Sequence, residues 1–348
     1  MQLYVRTSTS ANCLPLPYGV IALSCDENVE ARLSDPSVIV LNPVREWLSE
    51  LCCNCERGTA AIRLVTSSSA VEKAVSGCDD VDLEVVAANL VDRAAEILGR
   101  KVRASYDRHV VYNDRCSTYE RAVYSLVAAA EISFLRSLYT NNVLCENYAK
   151  KNIKQFQAWR DLWLGQLTGG MSTLLCLSAI AGHQPSANVL KQAGPTAPKK
   201  LLNGAFDAMR LEELNASALK RNKMGERADI AIFITLDKNL AESFSRYGIH
   251  GTNLDRYVGV SVILPWLSEN MRKETKHWYV NLPPRATHDP CRARNALLAI
   301  EKTYPDTVPE KIYSLASALD RFAMHSLFPI SHINTNGLSR RYCIFKPV

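Results

Sequence analysis

The stretch Asp229-Ile-Ala-Ile-Phe-Ile-Thr-Leu-Asp237-Lys-Asn-Leu240 constrains this chain more than any other. It is an apolar, partly β-branched run that ends in a threonine and an aspartate and leads into a helix-like segment. A run apolar on both faces reads as a buried strand of a parallel sheet. In open α/β sheets, functional groups gather at the carboxyl ends of such strands. Asp237 therefore stands where a catalytic or metal-binding carboxylate would be placed, although an aspartate there can also simply cap the next helix.

A chain of 348 residues, 47% of them hydrophobic, can bury a full core. With 22% charged residues and only 15 glycines and 15 prolines, it is not a low-complexity sequence. No apolar run reaches the ~18–20 residues that a bilayer span needs, so no membrane association is expected. The eleven cysteines are odd in number and scattered. With no secretory leader at Met1-Gln-Leu-Tyr, they read as reduced thiols of a cytoplasmic protein. Cys52 and Cys55 have CxxC spacing, but a structural zinc site needs a second pair of ligands; buried apolar thiols are the plainer reading. A net charge of +6, with basic clusters at Lys150-Lys-Asn-Ile-Lys154, Lys199-Lys200, Lys220-Arg-Asn-Lys223, Arg272-Lys-Glu-Thr-Lys276 and Arg340-Arg341, points to an anionic partner.

Along the chain, Ser37-Val-Ile-Val-Leu41 after the turn signal Asp35-Pro36 reads as a first strand, followed through Asn42-Pro43 by a helix to Leu51. Ala60 to Val65 reads as a second strand; Thr66-Ser-Ser-Ser69 supplies cap residues, and Ala70 to Val75, which carries Glu72, continues as a helix. Apolar residues at helical spacing mark Val81 to Leu98, closed by Gly99, and then Tyr119–Tyr139 and Tyr148–Leu167. Gly182 to Lys200, with Pro185, Gly194, Pro195 and Pro198, reads as a loop. Phe206 to Leu219 reads as a helix with Asp207 in its first turn. The strand ending at Asp237 follows, then a helix from Leu240 to about Tyr247, and a further strand from Tyr257 to Leu264. Lys311 to Phe322 is the one clear helix of the tail.

This alternation predicts an α/β fold: a small parallel sheet with flanking helices and a long helical insertion. Residues 1–80 and 201–268 would form the two parts of the core, 81–200 the insertion and 269–348 a C-terminal extension.

Over about residues 37–80 and 200–268 the chain resembles the PIN-like nuclease family. The resemblance rests on Asp207 in a helix before the strand, on Thr235-Leu236-Asp237-Lys-Asn-Leu240 at the strand's end, on Pro265-Trp266-Leu267 after the next strand, and on Glu72 after the strand near Leu64. It implies a set of carboxylates holding Mg²⁺ or Mn²⁺ for endoribonuclease chemistry, with Glu72, Asp207 and Asp237 as the catalytic acids. Asn42 falls where that family's first strand ends in an aspartate; either this strand is matched wrongly, or the Asn42 amide is a weaker metal ligand and the site is weakened or dead. Hard oxygen ligands suit these ions, and the ions activate a water for in-line attack on a phosphodiester.

The plainer readings make Asp207 a first-turn acid, Asp237 a helix cap, Glu72 a solvated helix residue and Glu131 a surface residue or substitute ligand. His183, His277 and His288 carry no pattern. RNA or another nucleic acid is the expected partner. The alternative function is a catalytically inactive nucleic-acid-binding protein, or a coat-type assembly protein that forms a homo-oligomer.

Overall fold

A computed structural model describes residues 1–8, 13–77, 90–99, 110–112, 118–140, 146–165, 170–192, 196–219, 229–247, 268–281, 290–305 and 307–327. The fold is α/β. Five strands form one sheet, β1 (Tyr4–Thr7), β2 (Gly19–Cys25), β3 (Ala60–Leu64), β4 (Val110–Tyr112) and β5 (Ile230–Thr235), in the order β1-β5-β2-β3-β4. The four strands from β5 to β4 run parallel, and β1 closes the outer edge of β5 antiparallel. From β2 the chain builds outward through β3 to β4, and then returns to lay β5 on the other side of β2. The carboxyl ends of β2 and β5 therefore flank the point where the strand order reverses, the place where open α/β sheets form their crevice.

The period-2 alternation of the strands divides the core into two layers. Ile21, Leu23 and Cys25 of β2, with Ile62, Leu64, Ile232 and Ile234, face one apolar cluster. It is completed by α1 (Glu27–Leu33), α2 (Asn42–Glu56) and α4 (Leu90–Leu98). Helix α2 buries Val44, Trp47, Leu48, Leu51, Cys52 and Cys55, one stripe at helical spacing. Cys52 and Cys55 are thus part of the apolar layer. Ala22, Ala231 and Phe233 face the other cluster. That cluster takes in α3 (Ser67–Gly77), α5 (Thr118–Thr140), α6 (Glu146–Trp163), α7 (Met171–Ile180), α8 (Gln184–Leu190), α9 (Leu201–Leu219) and α10 (Lys238–Tyr247). It also holds Met271 of α11 (Glu269–Asn281) and the apolar faces of α12 (Pro290–Thr303) and α13 (Glu310–Leu327). Helices of the insertion and of the C-terminal extension therefore share one continuous core with the sheet. Among the described residues no helix is long and apolar enough to cross a membrane.

Several elements differ from the sequence reading. The segment Ser37–Leu41 is not a strand. It is a turn and a short 3-10 helix, Ile39–Leu41, that runs directly into α2 at Asn42. The cause is Arg45, whose guanidinium donates to the carbonyl oxygens of Leu33 (2.7 Å), Val38 (3.2 Å) and Arg32 (3.1 Å), and also to that of Asp35. These carbonyls are gathered around one side chain and do not form a sheet ladder.

The first strand of the parallel sheet is instead Gly19–Cys25, unmarked in the sequence reading along with β1 and α1. The loop expected over Gly182–Lys200 contains α8, where Pro185 sits in the first turn and the His183 side chain accepts from the Ser186 N–H, and a 3-10 turn at Pro198–Lys200. Helix α9 begins at Leu201, so Asp207 lies inside it and not in its first turn. The helices expected over 119–139 and 311–322 are present, and Gly99 ends α4 with a φ of 63°. The expected strand Tyr257–Leu264 and the Pro265-Trp266-Leu267 segment lie outside the described residues.

Candidate acidic site at the carboxyl edge of the sheet

Strand β2 ends in Cys25-Asp26, and the alternation that turns Cys25 toward the α2 layer turns Asp26 toward α9. Asp26 is 4% exposed. Its Oδ2 accepts from the Thr235 hydroxyl at the end of β5 (3.0 Å), and its Oδ1 accepts from Arg210 Nη1 of α9 (3.2 Å). One carboxylate thereby joins the ends of two parallel strands and the helix that covers them.

Arg210 is the centre of the arrangement. Besides Asp26, it donates through Nη2 to Glu72 Oε2 (2.7 Å) and to Ser69 Oγ (3.3 Å), both on α3, and its Nη1 lies 3.5 Å from Asp207 Oδ1 one turn earlier in α9. Burial works against its charge, but Glu72, Asp26, Asp207 and Glu30 outweigh that and push its pKa further up.

Asp207 is held on its other oxygen by Lys191, with Nζ 2.5 Å from Oδ2. Burial raises the Asp207 carboxyl to about 6; Lys191 and Arg210 pull it down, while Asp26 and Glu72 push it up. Lys191 lies just past α8 in the left-handed region, with φ 57° and ψ 28°. The end of α8 reaches α9 because Gly204 has no side chain: a Cβ there would sit 2.7 Å from the Leu190 carbonyl oxygen. Burial disfavours the Lys191 ammonium, but Asp207, then Asp237 and Glu72, raise its pKa overall. Three of the sequence-predicted acids therefore act on one ammonium.

Asp237 is a helix cap. Its Oδ1 accepts from the N–H groups of Asn239 (2.8 Å) and Leu240 (3.2 Å), so it caps α10. Its own N–H donates to Thr235 Oγ1 (2.9 Å), the hydroxyl that also holds Asp26. Asn42 is elsewhere. It is exposed at the start of α2, and its amide oxygen accepts from Arg45 Nη1 (2.6 Å). The parallel strand that comes first in the chain, β2, is followed by Asp26. Glu131 is neither a surface residue nor part of this edge. It is 1% exposed and accepts from Arg160 Nε (2.7 Å), Ser172 Oγ (2.5 Å) and Thr173 Oγ1 (2.7 Å) between α5, α6 and α7. His183 caps α8, His277 is exposed on α11, and His288 lies outside the described residues.

Sequence reasoning found Glu72, Asp207 and Asp237, and missed Asp26, Arg210, Lys191 and Glu30. The signal for Asp26 was an apolar run ending in an aspartate, the same signal that marked Asp237. Arg210 follows Asp207 at i+3, a spacing that puts both on one helix face.

Behind the site lies Glu30 of α1. Its side chain is wholly buried, Oε1 accepts from Ser69 Oγ (3.2 Å), and Oε2 stands 3.8 Å from Arg93 Nη2. Burial raises its pKa to about 8, against the pull of Arg93 and Arg210. In the unfolded chain it titrates near 4.5. Between those values the folded state holds the extra proton, so stability falls as pH rises through the window. Glu30→Gln, which mimics the protonated form, should flatten this dependence. Its stability gain over wild type should grow from pH 5 to pH 8 and then level off, reaching about 5 kcal/mol at ~1.4 kcal/mol per pKa unit. Denaturant melts across that pH range measure it, and a gain that is constant with pH would contradict the assignment.

Carboxylate oxygens are the donors that a hard divalent ion takes. Asp26, Glu72, Asp207 and Asp237 offer only carboxylate oxygens, and Arg210 and Lys191 leave that set short of positive charge. Among the described residues no three such side chains form a ready ligand set, because the guanidinium and the ammonium stand between the oxygens. Compared with protein-family models, with curated proteins and with solved structures, the chain has no match in any of the three.

Proposed function

We propose that this protein is a metal-dependent, PIN-like endoribonuclease acting on single-stranded RNA, with Asp26, Glu72, Asp207 and Asp237 as its acidic set. The observation that carries the reading is the gathering of acids at the strand-order reversal: the Thr235 hydroxyl donates to the Asp26 carboxylate and accepts from the backbone N–H of Asp237, and α9 and α3 bring Asp207 and Glu72 to the guanidinium that holds Asp26. An aspartate at the end of the first parallel strand also removes the reason to regard the site as weakened, which was the asparagine at position 42.

Mg²⁺ or Mn²⁺, when bound, would supply Lewis-acid polarisation of the phosphodiester and an activated water. The chain's own residues do the rest. Thr235 fixes the orientation of Asp26 by donating to one of its oxygens. The α10 cap fixes one oxygen of Asp237, which aims the carboxylate from a rigid helix end. Arg210 keeps Asp26, Glu72 and Asp207 together against their mutual repulsion, in a site too buried for water to screen them. The chain's net charge of +6 favours approach of RNA.

The expected result is cleavage of single-stranded RNA that requires Mg²⁺ or Mn²⁺ and stops in EDTA. In Asp237→Asn it should fall by more than ~100-fold, since loss of a direct ligand should exceed the 10–100-fold typical of an outer-shell partner. Cleavage that survives EDTA would refute the reading. A second reading, an inactive nucleic-acid-binding fold, is favoured by the pairing of Lys191 and Arg210 with the carboxylates. Calorimetry showing no Mn²⁺ binding, together with intact RNA, would select it.

A further inference from the structure

The basic clusters of the sequence fare differently in the fold. Those at 220–223 and 340–341 lie outside the described residues. In the cluster at 272–276, Arg272 is half-buried on α11 and Lys273 is paired with Glu269 at 2.7 Å. Lys199 and Lys200 end a short 3-10 turn. Lys150, Lys151 and Lys154 stand exposed on the outer side of α6, and among the described residues none of them has a hydrogen bond or an ion pair. On α10 and α11 the exposed lysines Lys238 and Lys273 each have a glutamate one turn away. On α6, the residues three and four positions either side of Lys154 are Lys150, Lys151, Gln157 and Ala158. Lys150 and Lys151 therefore face Lys154 as like charges, which destabilises a helix surface. An anion lying across the three removes that repulsion.

The rest of the face selects the kind of anion. Tyr148 is 51% exposed, one turn before Lys151. Aromatic rings beside cations hold single strands without reading sequence, since every base has a face to stack and every nucleotide a phosphate. A duplex keeps its bases stacked on one another, so the ring fits an unpaired strand. At the far end of α6, Lys302 of α12 stands over the Trp163 ring at 5.5 Å and adds a fourth exposed cation. From Lys150 to Trp163 the helix runs ~20 Å at about 1.5 Å per residue. An anionic lipid surface fits less well. A helix lying in a membrane surface presents a continuous apolar face. Here the two large exposed apolar side chains, Tyr148 and Leu162, stand ~21 Å apart along the axis, with Lys151, Gln155 and Ala158 exposed between them.

Resting on the proposed function for the choice of RNA, we infer that the outer face of α6 is a sequence-independent docking surface for single-stranded RNA, on which Lys150, Lys151 and Lys154 contact phosphates and Tyr148 stacks on a base. Docking there needs affinity alone and no catalysis.

The test is fluorescence anisotropy of a labelled single-stranded oligoribonucleotide titrated with the full chain in EDTA at several salt concentrations. Wild type should bind, more weakly as salt rises. Lys150→Gln, Lys151→Gln and Lys154→Gln together should lower the slope of log affinity against log salt by about 2, at ~0.7 for each phosphate contact on a single strand. Lys199→Gln with Lys200→Gln should leave that slope unchanged, which separates a located surface from a general effect of net charge. Tyr148→Ala should weaken binding by roughly 5- to 150-fold, the range for one stacked base, at an unchanged slope. All these side chains are exposed, and matching melting curves check that the variants fold as wild type does. An unchanged slope in the triple variant, an equal fall in the Lys199 and Lys200 variant, no effect of Tyr148→Ala, or binding to anionic phospholipid vesicles without binding to RNA overturns the inference. The expected binding pattern without Mg²⁺-dependent cleavage would reject the nuclease reading and leave the docking surface standing. Cleavage with an unchanged slope in the triple variant would do the reverse.

Discussion

Arg210→Met is expected to be the most damaging single substitution in the sheet's acidic edge. The guanidinium contacts Asp26 at 3.2 Å, Glu72 at 2.7 Å and Asp207 at 3.5 Å, and all three face the same buried space. Removing one partner of a buried ion pair costs about 3–5 kcal/mol, because the other charge is left without compensation. Here three carboxylates lose a shared cation at once, so the loss should reach at least the upper part of that range. Methionine fills much of the volume, which separates the electrostatic loss from a packing defect. Arg210→Lys keeps the charge but cannot fork between Asp26 and Glu72, and should fall between wild type and Arg210→Met. Urea denaturation of the three proteins measures the order. A methionine variant within about 1 kcal/mol of wild type, inside the spread of ordinary exposed substitutions, would show that the carboxylates do not depend on Arg210.

Asp26→Asn is expected to abolish metal-dependent cleavage and to weaken Mn²⁺ binding, and Asn42→Asp is expected to change neither. Asparagine at 26 can still accept from Thr235, so the strand ends stay joined while the charge is lost. The effect on cleavage should exceed ~100-fold, as for any directly ligating carboxylate. An aspartate at 42 would stand exposed at the start of α2, facing Arg45 and not the sheet edge. There it should produce only the few tenths of a kcal/mol typical of a charge in a first helical turn. Calorimetric titration with Mn²⁺ and an RNA cleavage assay on both variants decide the matter. Tighter binding by Asn42→Asp would contradict the placement of the site.

What could be read from the sequence depended on whether a residue's surroundings were local. The strand at 230–235 was legible because five apolar residues lead to Thr235 and aspartates stand on either side. Gly19–Cys25 carries the same signature in a fainter form, since Ala22 and Ser24, the residues turned toward α9, are small. Ser37–Leu41 carries a stronger β-branched signal yet is not a strand, because Arg45 binds the Val38 carbonyl together with those of Arg32, Leu33 and Asp35 just before it, and propensity gives way to tertiary contacts. Prolines misled at 182–200: Pro185 and Pro198 open helical turns, a position proline favours. The acids Glu72, Asp207 and Asp237 could be named because each sits beside a strand or in a helix with visible periodicity. Their cations could not. Arg210 meets Asp26 across 184 residues and Glu72 across 138, separations at which sequence pattern carries no information about contact.

The position of β5 beside β2 sets the timing of assembly. The two strands pair directly, with Asp229 Oδ2 accepting from the Val20 N–H at 3.0 Å, yet 209 residues separate those partners. At ~5–20 residues per second of synthesis, β2 spends roughly ten seconds or more on the ribosome with one edge unpaired before β5 emerges. An unpaired apolar strand edge is a template for mispairing, and non-local parallel pairing is intrinsically slow to form. Asp26 cannot meet the Thr235 hydroxyl until that wait ends. A nascent chain therefore carries Asp26 long before the strand that supplies its Thr235 partner.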